Sequence, residues 1–222
     1  MTLSASAPTS SRHIWPLAVV VVVGSIMSIL DTTIVNIALQ TLSVDLSSPV
    51  ESVQWVVTGY MLALAAVIPV SGWAARRFGT RQLYLVSLVL FTLGSLLCGF
   101  AWSIDSLILF RVLQGLGGGM LMPTGMIILA RAAGPHRIGR VLSVIGVPMV
   151  LAPVFGPVIG GLLVEHVGWR WIFFVNLPIG IAAVALAWRL LPAGRAETAG
   201  PLDWLGLALL STGLPTLTYG LA

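Results

Sequence analysis

Lysine is absent from these 222 residues, and charge of either sign is scarce: 11 basic residues, every one an arginine, and 7 acidic ones make up 8% of the chain. Ordinary soluble domains carry about 25% charge. A soluble protein of this size cannot cover its surface with so little, and the mean hydropathy of +1.04 agrees. The 58% apolar share excludes intrinsic disorder. A single cysteine, Cys98, excludes a disulfide-stapled secreted domain. The three histidines, His13, His136 and His166, lie near the ends of apolar runs, and no pair has metal-ligand spacing. No phosphate-cradling loop of the Walker type occurs, because Gly115, Gly117, Gly118 and Gly119 fall inside an apolar run. That argues against an ATP-driven pump. A net charge of +4 does not indicate nucleic acid, since the arginines sit in short turns between long apolar runs. What remains is an all-α polytopic membrane protein.

A bilayer crossing needs about 20 mostly apolar residues. Such runs occupy 15–39, 52–73, 82–101, 106–130, 141–164 and 171–191, and a seventh begins at 204 and continues to Ala222. They lack period-2 alternation and are therefore helices, not barrel strands. The arginines orient them. Arg12, Arg76, Arg77, Arg81, Arg131, Arg137, Arg140, Arg189 and Arg195 fall on one side, which makes nine, against Arg170 alone on the other. Asp45, Glu51, Asp105 and Glu165 share the side of Arg170. The positive-inside rule then predicts a cytoplasmic N-terminus in a plasma (inner) membrane. The expected organisation is a tail at 1–14, a six-helix bundle at 15–191, a cytoplasmic linker at 192–203 and the start of a seventh span at 204–222. A signal peptide is a poor fit to the first run, which is too long and contains an aspartate. The apolar end of the chain favours a fragment of a longer protein.

Asp31 lies deep in the first run. A carboxylate near mid-bilayer costs about 2.5–3.5 kcal/mol on insertion scales. At 100° per residue, Gly24, Ser25, Ser28, Asp31, Thr32 and Asn36 share a sector of about 140°. This polar stripe predicts that Asp31 faces a bundle interior or a wet cavity; the plainer alternative is a structural carboxylate bonded to a neighbouring helix. Arg111 opens the fourth run, with Gln114, Gly115, Gly118, Met122 and Gly125 on its face. Its guanidinium needs a carboxylate, a carbonyl or water, and the glycines permit close helix packing. The fifth run carries Gly146, Pro148, Pro153, Gly156, Pro157, Gly160 and Gly161. Gly146, Pro153, Gly156, Pro157 and Gly160 fall within about 120° of one another, a pattern for a kinked, closely packed helix. The segment from Gly72 through Arg76, Arg77, Gly79 and Arg81 is expected to be a short basic loop between the second and third spans.

Together these residues resemble the N-terminal half of a major facilitator superfamily transporter, and more narrowly the 14-spanner drug:proton antiporter-2 family. Four motifs carry the likeness: Leu30-Asp31-Thr32-Thr33-Ile34-Val35-Asn36 in the first span, the 72–81 loop, Arg111-Val112-Leu113-Gln114-Gly115 in the fourth, and Gly156-Pro157-Val158-Ile159-Gly160-Gly161 in the fifth. The stretch from Gly168 to Gly180, with Trp169, Asn176 and Pro178, also looks typical of that family. The resemblance implies two six-helix bundles around a central cavity, two additional spans between them, and alternating access. Only the first bundle is present here. The resemblance also implies an acidic residue in the 72–81 loop where this chain has Arg76, so a carboxylate latch of that form is excluded.

These features predict a proton-coupled exporter of lipophilic or cationic drugs, with the proton gradient in place of any cofactor. Its partners are a small-molecule substrate, the lipid bilayer and a second bundle. Asp31 is expected to exchange the proton or meet the substrate, with Arg111, Gln114 and Asn36 as its coupling partners. Gly72, Arg76, Arg77, Gly79 and Arg81 form the expected gating segment, and Pro153, Gly156, Pro157, Gly160 and Gly161 the antiporter-motif helix. Trp55, Tyr60, Met61, Met122 and Met149 are candidate cavity-lining residues. A metabolite or siderophore exporter, a symporter and a non-transporting scaffold are the alternatives. An enzyme is the weakest class, because no acid–base pair or metal set faces a shared site.

Overall fold

A computed structural model of the chain describes residues 14–134 and 138–192, with residues 200, 203, 206, 207 and 209 beyond them; in 138–148 the side chains of residues 139, 143 and 146 are described. Most of the expected tail, of the 192–203 linker and of the seventh span, and Arg12, Arg137, Arg140, Pro148 and Arg195, lie outside the described residues or side chains. All regular structure among the described residues is helical: α1 (Ile14–Asp45), α2 (Val50–Phe78), α3 (Thr80–Gly99), α4 (Ile104–Ala133), α5 (Ile138–His166), α6 (Trp171–Phe174) and α7 (Asn176–Leu190). Six segments are long and apolar enough to cross a membrane, the sixth being α6 and α7 taken together over Trp171–Leu190. The chain is a multi-pass membrane protein.

The helices outrun the apolar runs. α1 holds 32 residues, about 48 Å at 1.5 Å per residue, against a hydrocarbon core of about 30 Å. Hydropathy marks where lipid ends; a helix stops only where the backbone is forced out of its hydrogen-bonded ladder. For α1 that happens after Asp45, where Ser47 adopts a positive φ of 48°. The expected 72–81 loop is largely helix for the same reason. Trp73, Ala74, Ala75, Arg76, Arg77 and Phe78 contain no breaker, so α2 continues to Phe78. Gly79 alone separates it from α3, at φ 88°, a conformation that glycine adopts without strain.

The sixth span breaks between Phe174 and Asn176. Pro178 has no N–H to give Phe174's carbonyl, and the carbonyl of Phe173 instead accepts from Ser95 Oγ at 2.9 Å. α4 sits at the centre of the bundle because its glycines remove bulk on several faces. A Cβ on Gly115 would lie 2.6 Å from the Tyr60 carbonyl oxygen of α2, and one on Gly117 would lie 2.6 Å from the Phe91 nitrogen of α3. A Cβ on Gly125 would meet Val21 of α1 at 2.6 Å. Backbone-to-backbone approach of this kind gains dispersion contacts where lipid supplies no hydrophobic drive between helices. Ser103 caps α4 in a reciprocal box with Ser106.

The charges segregate by helix end. Arg76 and Arg77 close α2, Arg131 closes α4 and Arg189 closes α7. Asp45 ends α1, while Glu51 and Asp105 lie in the first turns of α2 and α4.

Candidate functional site

Asp31 is fully buried where five helices converge, and Arg111, Gln114 and Asn176 around it are no more than 1% exposed. A carboxylate taken from water must have its lone pairs filled. Arg111 Nη1 donates to Asp31 Oδ2 at 2.5 Å. Gln114 Nε2 donates to Asp31 Oδ1 at 2.9 Å, and Asn176 Nδ2 donates to the same oxygen at 3.1 Å. Arg111 and Gln114 are one helical turn apart on α4, so one face of that helix presents both donors to α1. Gln114 closes the ring by accepting from Arg111 Nη1 at 2.8 Å.

The guanidinium is satisfied on its other edges. Arg111 Nε donates to the Val56 carbonyl of α2 at 3.2 Å. Its Cζ lies 3.9 Å from the centre of the Tyr60 ring and 5.8 Å from that of Phe173, so aromatic faces take the place of solvent. The Tyr60 hydroxyl pairs with Ser28 Oγ of α1 at 3.2 Å. Asn176 Nδ2 also reaches Ser95 Oγ of α3 at 3.1 Å, and the Cys98 thiol donates to Gln114 Oε1 at 3.6 Å. The result is a buried ion pair inside a polar network that joins α1, α2, α3, α4 and α7. The carboxylate faces the bundle interior and is sealed from solvent in this structure.

Other residues singled out in the sequence fall elsewhere. Asn36 is exposed and donates to the Thr32 carbonyl of its own helix at 3.1 Å; five residues past Asp31 it has rotated about 140° away. Trp55, Met61 and Met149 lie on the exterior, whereas Tyr60 belongs to the network and Met122 accepts from Ser25 Oγ at 3.8 Å. On α5, Gly156 and Gly160 are buried against Thr33 and Ile34, two and three residues past Asp31 on α1. Pro153 and Pro157 are exposed, and Gly161 has no neighbour within 4 Å of where a Cβ would stand. The face expected to hold glycines and prolines together is therefore divided, with the glycines inward. α5 remains one α-helix through both prolines.

At the opposite end of the bundle from Asp45 and Glu51, Arg76 and Arg77 are exposed and make no ion pair among the described residues. Gly72 has open space around it. Arg81 behaves differently: its Nη2 donates to the Trp188 carbonyl at 2.5 Å, and its Cζ lies 5.4 Å from the Trp188 ring centre. Sequence reasoning did not assign Ser95 or Asn176 to the network. The signals available for Asn176 were an amide two residues before a proline inside an otherwise apolar span, and its place in the family-like Gly168–Gly180 stretch.

Comparison with known proteins places this geometry in context. The family description Major Facilitator Superfamily matches residues 21–217. The chain is 53% identical over 203 residues to a multidrug resistance protein B homolog of Mycobacterium tuberculosis, covering 91% of this chain and 38% of that protein. It is 40% identical over 192 residues to the multidrug export protein EmrB of Haemophilus influenzae, covering 86% of this chain and 38% of the relative. The chain thus spans under half the length of these curated relatives. Among solved structures, the proton:xylose symporter XylE superposes with a TM-score of 0.72 at 15% identity, over 95% of this chain and 52% of that one. At that identity the likeness establishes the fold.

Proposed function

We propose that this chain, which belongs to the Major Facilitator Superfamily, forms the first helical bundle of a proton-coupled exporter of lipophilic cations in the 14-spanner drug:proton antiporter-2 branch. The observation that carries the proposal is the Asp31 network. One titratable acid is held inside the bundle by one cation and two neutral amides. The names of the 53% and 40% identical relatives support multidrug export as the activity.

In this mechanism Asp31 accepts either a proton or a cationic substrate, and never both. Opening the cavity to one side at a time then sets which partner the carboxylate takes. On the outside it takes a proton and releases drug; on the inside it loses the proton and binds drug. The closed network described above is the state in which neither partner is bound and Arg111 substitutes for both. No cofactor is needed: a membrane potential contributes about 2.3 kcal/mol per charge per 100 mV. The protein resides in the plasma (inner) membrane with a cytoplasmic N-terminus, following the arginine bias, and the remainder of the full-length protein supplies the second bundle.

The test is reconstitution of the full-length protein in liposomes with equal ethidium inside and outside. An imposed pH gradient should drive ethidium against its own gradient. Ethidium movement that ignores the imposed pH gradient would contradict the proposal.

A further inference from the structure

We propose that the surface groove between α3 and α7 binds a single anionic phospholipid. The two helices touch closely at Gly180, where an added Cβ would collide with the Thr92 hydroxyl. Alongside this contact they leave a groove of about 530 Å³ whose walls include Val89, Leu93, Ile181, Val184 and Trp188, with Arg189 at its end. Val89, Leu93, Ile181 and Trp188 are each more than 40% exposed, so the walls are apolar and uncovered among the described residues.

Its length and charge specify the occupant. From Ile181 to Arg189 is eight residues, about 12 Å of helix. That is close to one leaflet's share, about 15 Å, of a 30 Å hydrocarbon core. Arg189 lies in the last turn of α7, at the depth of headgroups. It is exposed, and among the described residues it makes no ion pair. Arg81 lines the neighbouring pocket, not the groove, and reaches this point through Trp188, with Nη2 donating to the Trp188 carbonyl and Cζ 5.4 Å from the ring centre. A tryptophan at the headgroup level between two guanidiniums suits an acyl chain below and a phosphate above. Among the described residues no acidic side chain lines the groove. An apolar groove alone does not choose a headgroup; the arginines do: exposed Arg189 is worth roughly fivefold in favour of an anionic lipid, and Arg81, part of whose guanidinium is taken up by Trp188, raises this to on the order of tenfold. The site lies apart from Asp31, so it stands or falls independently of the export proposal.

The test is native mass spectrometry of the delipidated full-length protein, offered phosphatidylglycerol and phosphatidylcholine with identical chains. The unaltered protein should retain one phosphatidylglycerol on the order of tenfold over phosphatidylcholine. Arg81→Gln with Arg189→Gln should abolish the preference. Leu93→Trp, which fills the groove and leaves both arginines, should lower retention of both lipids. Equal retention by the unaltered protein, a preference that survives the double change, or full retention in Leu93→Trp would each overturn the site. If the double variant fails to fold, Arg189→Gln alone carries the same comparison with a smaller drop, because that side chain is exposed.

Discussion

The side-chain amide of Asn176 donates to Asp31 Oδ1 at 3.1 Å, joining residues 145 apart in sequence. The contact ties the start of α7 to the middle of α1 through a neutral group. It completes a carboxylate shell whose other donors both come from α4. A transporter that moves α1 relative to α4 must therefore also release, or carry along, the broken sixth span.

The ion pair should respond non-additively to mutation. Arg111→Gln leaves Asp31 buried beside amides alone, and Asp31→Asn leaves the guanidinium uncompensated. Breaking a buried pair from one side costs about 3–5 kcal/mol. The double change Asp31→Asn with Arg111→Gln removes both charges together and should recover most of that loss. Thermal unfolding of the purified full-length proteins measures it, and an equal or deeper loss in the double variant would show that the pair is not the energetic unit.

Asn176→Ala removes a donor from Asp31 and a partner from Ser95, and should cost about 1–3 kcal/mol. Asn176→Asp should be worse, because it sets a second carboxyl against the first. The reciprocal exchange Asp31→Asn with Asn176→Asp restores one acid and one amide in contact, and should be more stable than Asn176→Asp alone. Melting midpoints of the three variants decide this.

Glycines of the same helix type should differ sharply. Gly117→Ala places a methyl 2.6 Å from the Phe91 nitrogen and 2.8 Å from the Ser87 carbonyl oxygen, both backbone atoms that cannot move aside. Overpacking of this kind costs about 1–3 kcal/mol. Gly161→Ala meets nothing within 4 Å and should be neutral or slightly stabilising through helix propensity. Comparing the two melting curves separates packing from propensity.

How much was legible follows from what membrane burial penalises. Asp31 and Arg111 stood out because a charge in an apolar run must find a partner, and Gln114 shares Arg111's helix face. Asn176 and Ser95 were hidden because a neutral polar side chain costs far less to bury than a charge, and a single sequence does not say which helices touch. Asn36 was drawn into the stripe by a generous sector; five residues of rotation carry it to the surface. The apolar pattern located all six spans but not their ends, because Arg76 and Arg77 are polar enough to leave lipid and, with Ala74 and Ala75, helical enough to extend α2. On α5, helical spacing alone could not tell that Gly156 and Gly160 face α1 while Pro153 and Pro157 face outward.

Asp31 as the coupling group is tested most directly by pH-gradient-driven ethidium transport in liposomes holding full-length protein with Asp31→Asn. The amide keeps the shape but cannot exchange a proton, so uphill transport should fall to the level of empty liposomes, while Asp31→Glu keeps a measurable fraction. Undiminished gradient-driven transport by Asp31→Asn would contradict the assignment and leave the network a structural one.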